Sequence, residues 1–194
     1  MRRSIAVIGC CALLVGCASL KSVRPALAPA PWETRVVELR RASSWRLDGR
    51  AAVAFGQQGW QASLDWQQSE AVSELHLAGP FGAGALDIKL TPAGVSLNGA
   101  PPSDEVVTQL EDRLGFEPPL ENLRYWLLGI PDPGSDFELT RNAQDRAAHL
   151  SQAGWTVDYD AYLPSQGDLL PGRLVLRRAE VRVRIAIDRW ETLK

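Results

Sequence analysis

At 194 residues the chain has the length for one domain with one full hydrophobic core. Hydrophobic residues at 45% and charged residues at 23% are ordinary globular proportions, which excludes a disordered chain, a collagen-like repeat and a multi-span membrane protein. A net charge of −2 lacks the basic excess of a nucleic-acid binder, and two His with three Cys offer few ligands for a metal.

Met1-Arg2-Arg3 precedes a stretch from Ile5 to Gly16 that is apolar or small throughout. These are the charged and apolar regions of an export signal, shorter than the roughly 20 residues a membrane-spanning helix needs. The stretch ends Leu14-Val15-Gly16-Cys17, which resembles the lipobox of bacterial lipoprotein precursors. There the cysteine thiol takes a diacylglycerol, and cleavage before it frees an amine for a third acyl chain. The competing A-x-A pattern, Ala26-Leu27-Ala28, lies well beyond the apolar stretch, with Lys21 and Arg24 between. The expected organisation is a removed signal over 1–16, an acylated N-terminus and tether over 17–31, and a single domain over 32–194. S-diacylglycerol and N-palmitoyl groups on Cys17 are the expected covalent additions, with no separate cofactor. Loss of Arg2 and Arg3 leaves 19 basic against 23 acidic residues, a net −4, so attachment to a membrane has to come from the acyl chains. Ala18 and Ser19, standing where Asp would signal retention at the inner membrane, point to the outer membrane of a Gram-negative cell and its periplasmic face. Pro25, Pro29 and Pro31 mark the tether, whose fourteen residues reach roughly 45 Å when extended.

In Trp32 to Ser43 a stripe of Trp32, Val36, Leu39 and Ser43, with Arg35, Glu38 and Arg41 elsewhere, predicts a short helix. The period then changes to two. Leu47, Ala51, Val53 and Phe55 alternate with polar residues. Gln57-Gln58-Gly59 reads as a hairpin loop, and Trp60, Ala62, Leu64 and Trp66 form the next apolar row. Leu75 and Leu77, then Leu86, Ile88 and Leu90, then Val95 and Leu97, continue the meander. Ser103 suits an N-cap and Gly115 a C-terminal stop for a helix whose apolar face is Val106, Val107, Leu110 and Leu114. A second short helix runs from Leu120 to Leu128, ended by Gly129 and Pro131. Strands resume at Phe137 and Leu139, at Trp155 to Tyr159, at Leu174 and Leu176 beyond a loop around Pro164 to Pro171, and at Val181 to Ile187. The fold class is mainly β (α+β): about ten to eleven antiparallel strands, apolar on one face, with two or three short helices to cover it.

No nucleophile elbow, Walker loop or H-E-x-x-H is present, and Gly82-Ala83-Gly84 lacks the third glycine of a dinucleotide motif. His76 and His149 read as solvated surface residues. Arg177, Arg178, Arg182 and Arg184 read as outward strand positions on a solvated face. An enzyme is therefore not expected. What stands out is apolar: seven Trp, and Phe81 set among Gly79, Pro80, Gly82 and Gly84 at a loop tip between two strands. The Trp residues line either a packed core or a greasy cavity, and Phe81 is either a core residue or an exposed apolar tip of the kind that contacts a membrane or a partner.

Several stretches in order resemble the LolB family of outer-membrane lipoprotein receptors. They are the lipobox at Cys17, Trp45-Arg46-Leu47-Asp48-Gly49-Arg50, Leu64-Asp65-Trp66-Gln67-Gln68 and Gly79-Pro80-Phe81-Gly82. Leu123 to Pro131, whose Trp-Leu-Leu-Gly-Ile-Pro block is the most specific piece, Gln152-Ala153-Gly154-Trp155 and Trp190 follow. The resemblance implies an incomplete antiparallel β-barrel with a helical lid over a hydrophobic cavity. It implies a monomer that receives acylated lipoproteins from a LolA-like periplasmic carrier and releases them into the phospholipid of the outer membrane's inner leaflet, without nucleotide, metal or nucleic acid. On that reading the acyl chains meet Trp60, Leu64, Trp66, Leu75, Leu77, Ile88, Trp126, Leu127 and Trp155, while Phe81 takes the place of an apolar residue, a leucine in familiar members, that touches the membrane. The alternatives are a lipoprotein of similar fold that carries free lipid and a structural assembly lipoprotein with a filled core. Carrying acyl chains needs shelter from water: a triacylated cysteine has roughly 45 methylenes, and exposing them costs on the order of 35 kcal/mol.

Overall fold

The protein's structure, a computed structural model, describes residues 31–165 and 167–191. The expected signal, the acylation site Cys17 and the tether up to residue 30 lie outside the described residues. Helix α1 (Trp32–Arg41) opens the described chain. Strands β1 (Ser44–Phe55), β2 (Gln58–Ser69), β3 (Val72–Ala78), β4 (Leu86–Thr91) and β5 (Gly94–Leu97) form one meander. Helices α2 (Asp104–Leu114) and α3 (Leu120–Leu127) follow. A second meander comprises β6 (Phe137–Arg141), β7 (Ala147–Gln152), β8 (Trp155–Ser165), β9 (Asp168–Arg178) and β10 (Val181–Glu191).

The last strand returns to pair with the first, giving one sheet in the order β5-β4-β3-β2-β1-β10-β9-β8-β7-β6, antiparallel at every step. The two edges, β5 and β6, do not pair with each other, so the sheet is an incomplete barrel. Both edge strands are short, which limits the unpaired backbone they offer to another chain. The two-residue period decides what is buried. In β1, Trp45, Leu47, Ala51 and Val53 point inward and are buried, while Arg46 and Arg50 point out. Helices α1, α2 and α3 bring Val36, Leu39, Val106, Leu110, Leu114, Trp126 and Leu127 onto the same core. Ser103 caps α2, its Oγ accepting from the Val106 N–H at 3.3 Å, and Gly115 ends it at φ 84°.

Four local readings need correction. The β1–β2 hairpin turns at Gly56-Gln57, with Phe55 opposite Gln58, so Gln58 and Gly59 belong to the strand. Gly56, at φ 54°, supplies the left-handed residue the tight turn requires. The segment from Pro164 to Pro171 is not a loop: β8 and β9 continue as a hairpin to Ser165 and Asp168, with the prolines at paired positions near its end. β7, whose sequence Ala-Ala-His-Leu-Ser-Gln alternates weakly, supplies the tenth strand. Arg35, placed on the polar side of α1 by its type, is 2% exposed.

The burial of Arg35 is explained by a carboxylate 133 residues away. Its Nε donates to Asp168 Oδ2 at 2.8 Å, and Arg146 Nη2 donates to Asp168 Oδ1 at 2.7 Å. One carboxylate thus joins α1, the β6–β7 turn and the β8–β9 hairpin. Burial lowers the Arg35 pKa, and Asp168 opposes that shift. Replacing Asp168 leaves two buried guanidinium groups without a counter-ion. Asp168→Asn is expected to lower unfolding stability by about 3 kcal/mol in urea titration; a loss under about 1 kcal/mol would show that the cluster holds little.

Candidate functional site

The residues expected to meet acyl chains come together. Trp60, Leu64 and Trp66 from β2, Leu75 and Leu77 from β3 and Ile88 from β4 lie in one apolar cluster with Trp126 and Leu127 from α3 and Trp155 from β8. All seven tryptophans belong to this cluster or pack against it. Trp45 stacks on Trp66 at 5.9 Å and meets Trp190 edge-on at 5.5 Å; Phe116 meets Trp155 at 6.0 Å. Trp66, Trp126 and Leu127 are 0% exposed, so no water-sized space touches them. At these positions the interior is filled by its own side chains, and an acyl chain can enter only if the cover moves.

The cover is tied to the sheet by polar bonds that terminate at tryptophans. Trp126 Nε1 donates to Gln152 Oε1 at 2.9 Å, and Tyr159 Oη donates to the Trp126 carbonyl at 3.0 Å. Gln152 Oε1 also accepts from the Asp132 N–H, and its Nε2 donates to the carbonyls of Asp132 and Ser135. Its amide therefore uses both donors and both acceptor positions. At the far end, Trp60 Nε1 donates to the Leu114 carbonyl at 3.0 Å, holding the C-terminus of α2. Neither Gln152 nor Tyr159 carries a sequence signal for this role, since their shared partner Trp126 lies 26 and 33 residues away.

Phe81 is 109% exposed, more than in an extended reference chain. Its loop is closed on itself: the Gly79 N–H donates to the Ala83 carbonyl at 2.9 Å, and the Gly82 N–H donates to the Gly79 carbonyl at 2.9 Å. A Cβ at position 79 would lie 2.7 Å from that Ala83 oxygen, so the closure needs glycine there. Phe81 itself sits at φ 59°, ψ 23°, left-handed and unfavourable for a side chain. A short rigid turn thus holds an aromatic ring out in water, against both its solvation and its backbone preference.

The outer face of the sheet is polar and laced with ion pairs. Arg50 pairs with Asp188 at 2.8 Å, Arg189 with Asp48 at 2.6 Å, Lys89 with Glu74 at 2.7 Å, and Arg46 with Asp65. On this face a cleft of about 900 Å³ opens between the Phe81 loop and strands β1, β2, β9 and β10. His76 and His149 lie on the outer face as read from sequence, but each faces a carboxylate: Asp87 at 2.6 Å and Asp158 at 2.7 Å. Ser151 Oγ is 3.3 Å from His149 Nε2, which completes a Ser-His-Asp row across β7 and β8. The row lacks an oxyanion site, because the backbone of both strands is engaged in the ladder, and Arg177 shares the Asp158 carboxylate. Among the described residues, no three His, Cys, Asp or Glu side chains gather to hold a metal.

Two measurements test these ties. Gln152→Leu strands the Trp126 and Asp132 N–H groups; stability is expected to fall by about 2–4 kcal/mol and binding of an apolar dye to rise. An unchanged dye signal would mean that the cover is held by packing alone. Burial raises the Asp158 pKa, but His149 and Arg177 outweigh it and leave the group below its usual value. A carboxylate with a depressed folded pKa stabilises above its unfolded value and loses that contribution as pH falls through the folded one. The stability gap between the wild-type chain and Asp158→Asn should be full at pH 7 and close as pH falls below about 4; a gap unchanged at low pH would contradict the pairing.

Comparison with known proteins bears on the whole molecule. Residues 43–190 match the family described as outer membrane lipoprotein LolB. The outer-membrane lipoprotein LolB of Ectopseudomonas mendocina is 32% identical over 199 residues, covering 98% of this chain and 97% of that one. The protein of the same name from Nitrosococcus oceani is 32% identical and covers 92% of each. Among solved structures, a LolA superfamily protein of Nitrosomonas europaea superposes with a TM-score of 0.54 at 8% identity, covering 86% of this chain and 95% of that one, which shows a shared fold. The family match, the full-length relatives and the open sheet with its helical cover agree: the chain belongs to the LolB family of outer-membrane lipoproteins.

Proposed function

We propose that this chain, anchored by acyl groups on Cys17 to the outer membrane and facing the periplasm, is a monomeric receptor for acylated lipoproteins. It accepts them from a LolA-like periplasmic carrier and releases them to the phospholipid of the inner leaflet. The observation that carries the reading is the broad apolar, tryptophan-rich face of the open sheet, closed by short helices instead of a second sheet. The client's acyl chains would take the place of the cover against Trp60, Leu64, Trp66, Leu75, Leu77, Ile88, Trp126, Leu127 and Trp155. Because those residues pack on one another in the unloaded protein, part of the gain from burying acyl chains is spent in parting them. Binding is then weaker than transfer to a bilayer, and the client leaves. The proposal assigns no catalytic step, cofactor or nucleotide. Phe81 is the delivery contact, presented by its loop at a distance from the interior.

The soluble chain from Ala18 onward, mixed with carrier loaded with an acylated lipoprotein, should take up the client without ATP. A client that stays on the carrier while the domain is folded would overturn the receptor reading in favour of free-lipid carriage. Burying Phe81 in lipid is worth about 2 kcal/mol, roughly thirtyfold in partition. Phe81→Glu should therefore accept clients normally and lose at least tenfold in the rate of delivery to liposomes; equal losses in both steps would place Phe81 in the fold instead of at the membrane.

A further inference from the structure

The outer face of the sheet breaks its own rule at one place. Elsewhere its arginines meet carboxylates: Arg46 with Asp65, Arg50 with Asp188, Arg177 with Asp158 and Arg189 with Asp48. Arg173, Arg182 and Arg184 are exposed, line the cleft beside the Phe81 loop, and make no ion pair with any described residue. Strand register explains how they converge. Arg173 lies opposite Ala186, which lies opposite Arg50, then Ser63, then Ala78, in one row running from β9 to the base of the Phe81 loop. In the adjacent row Val175, Arg184, Ala52 and Gln61 stand side by side. Arg182 stands opposite another cation, Arg177. The floor thus combines the small side chains of Ala52, Ser63, Ala78 and Ala186 with Arg50, which is held by Asp188, while the guanidinium groups of Arg173, Arg182 and Arg184 lie toward β9 and β10 and the aromatic loop forms the other wall. Asp160 is the one carboxylate on the lining, and it bonds to none of the three. Unpaired like charges on neighbouring strands oppose folding, so their gathering here calls for an anion from outside the chain.

We propose that this cleft seats the phosphate of an anionic glycerophospholipid at the bilayer surface, with Arg173, Arg182 and Arg184 on the headgroup while Phe81 enters the acyl region. The inference rests on the reading of Phe81 as a membrane contact and adds a lipid-class preference to it. Guanidinium forks match phosphate oxygens, the small floor admits a headgroup, and the volume of about 900 Å³ lies in the range of small-molecule sites. The net negative chain would otherwise be repelled by an anionic surface, so a local cationic groove fixes which face approaches.

The test is flotation of the chain from Ala18 onward, whose described part holds the entire sheet and core, with phosphatidylcholine vesicles and with vesicles that also contain phosphatidylglycerol. The wild-type chain should prefer the anionic vesicles by on the order of tenfold or more, and added salt should erode that preference. The triple variant Arg173→Gln, Arg182→Gln, Arg184→Gln should lose the preference yet retain binding to phosphatidylcholine. Phe81→Ala should weaken binding to both vesicle types alike, and Arg113→Gln on α2 should change neither. A triple variant that keeps the preference overturns the proposal. The assay contains no lipoprotein client, so its failure is separable from failure of the receptor reading.

Discussion

A ten-stranded antiparallel sheet that stays open has a broad apolar face to keep from water, and here most of that task falls to two short helices. The rest of the structure follows from that constraint. The inner face is rich in tryptophan because large flat rings from opposite sides can fill a wide space that short strands and short helices leave between them. Indole N–H groups in such an interior need acceptors: Trp66 and Trp190 find them within the sheet, while Trp126 on Gln152 and Trp60 on the end of α2 tie the cover to it. The side chains proposed to meet acyl chains therefore also include two that lock the cover, Trp60 and Trp126.

On the proposed reading the domain has two states. In the unloaded state the apolar face is satisfied by its own side chains, so the domain is stable without a ligand. In a loaded state the same face would be satisfied by acyl chains, at the expense of a handful of hydrogen bonds and the packing of α2 and α3. Net hydrogen bonds of this kind contribute about 1 kcal/mol each, so the lock is firm enough to keep the domain closed and weak against tens of methylenes. On the proposed reading, acceptance and delivery would use opposite faces of the sheet: the interior for the client, and for the membrane the Phe81 loop with the arginines beside it, which make no ion pair with any described residue.

Much of this was legible in the sequence where the signal was local. The alternation in Trp60 to Gln67 and in Val181 to Ile187 placed those strands and their inner faces, and Ser103 and Gly115 bounded α2 by their capping chemistry. Phe81 among glycines read as a loop position with core and exposed tip both open, and the apolar rows together with the family resemblance named the interior cluster. What depended on distant partners was not legible. Arg35 reads as solvated until Asp168 is found beside it. Pro164 and Pro171 read as loop punctuation until the hairpin between β8 and β9 is seen to carry them at paired positions. Arg182 and Arg184 read as an ordinary solvated face, and Arg173 carried no signal of its own, because their lack of carboxylate partners among the described residues is a property of register across five strands, not of any one segment.

The claim that the cover gives way to the client is tested most directly by hydrogen–deuterium exchange of the domain with and without a bound acylated lipoprotein. The amides of α2 and α3 should change protection on loading, while those of β1 and β10 at the middle of the sheet stay constant. Loading that leaves α2 and α3 unchanged would contradict the account, since the filled interior around Trp66 and Trp126 would then have admitted acyl chains without moving its cover.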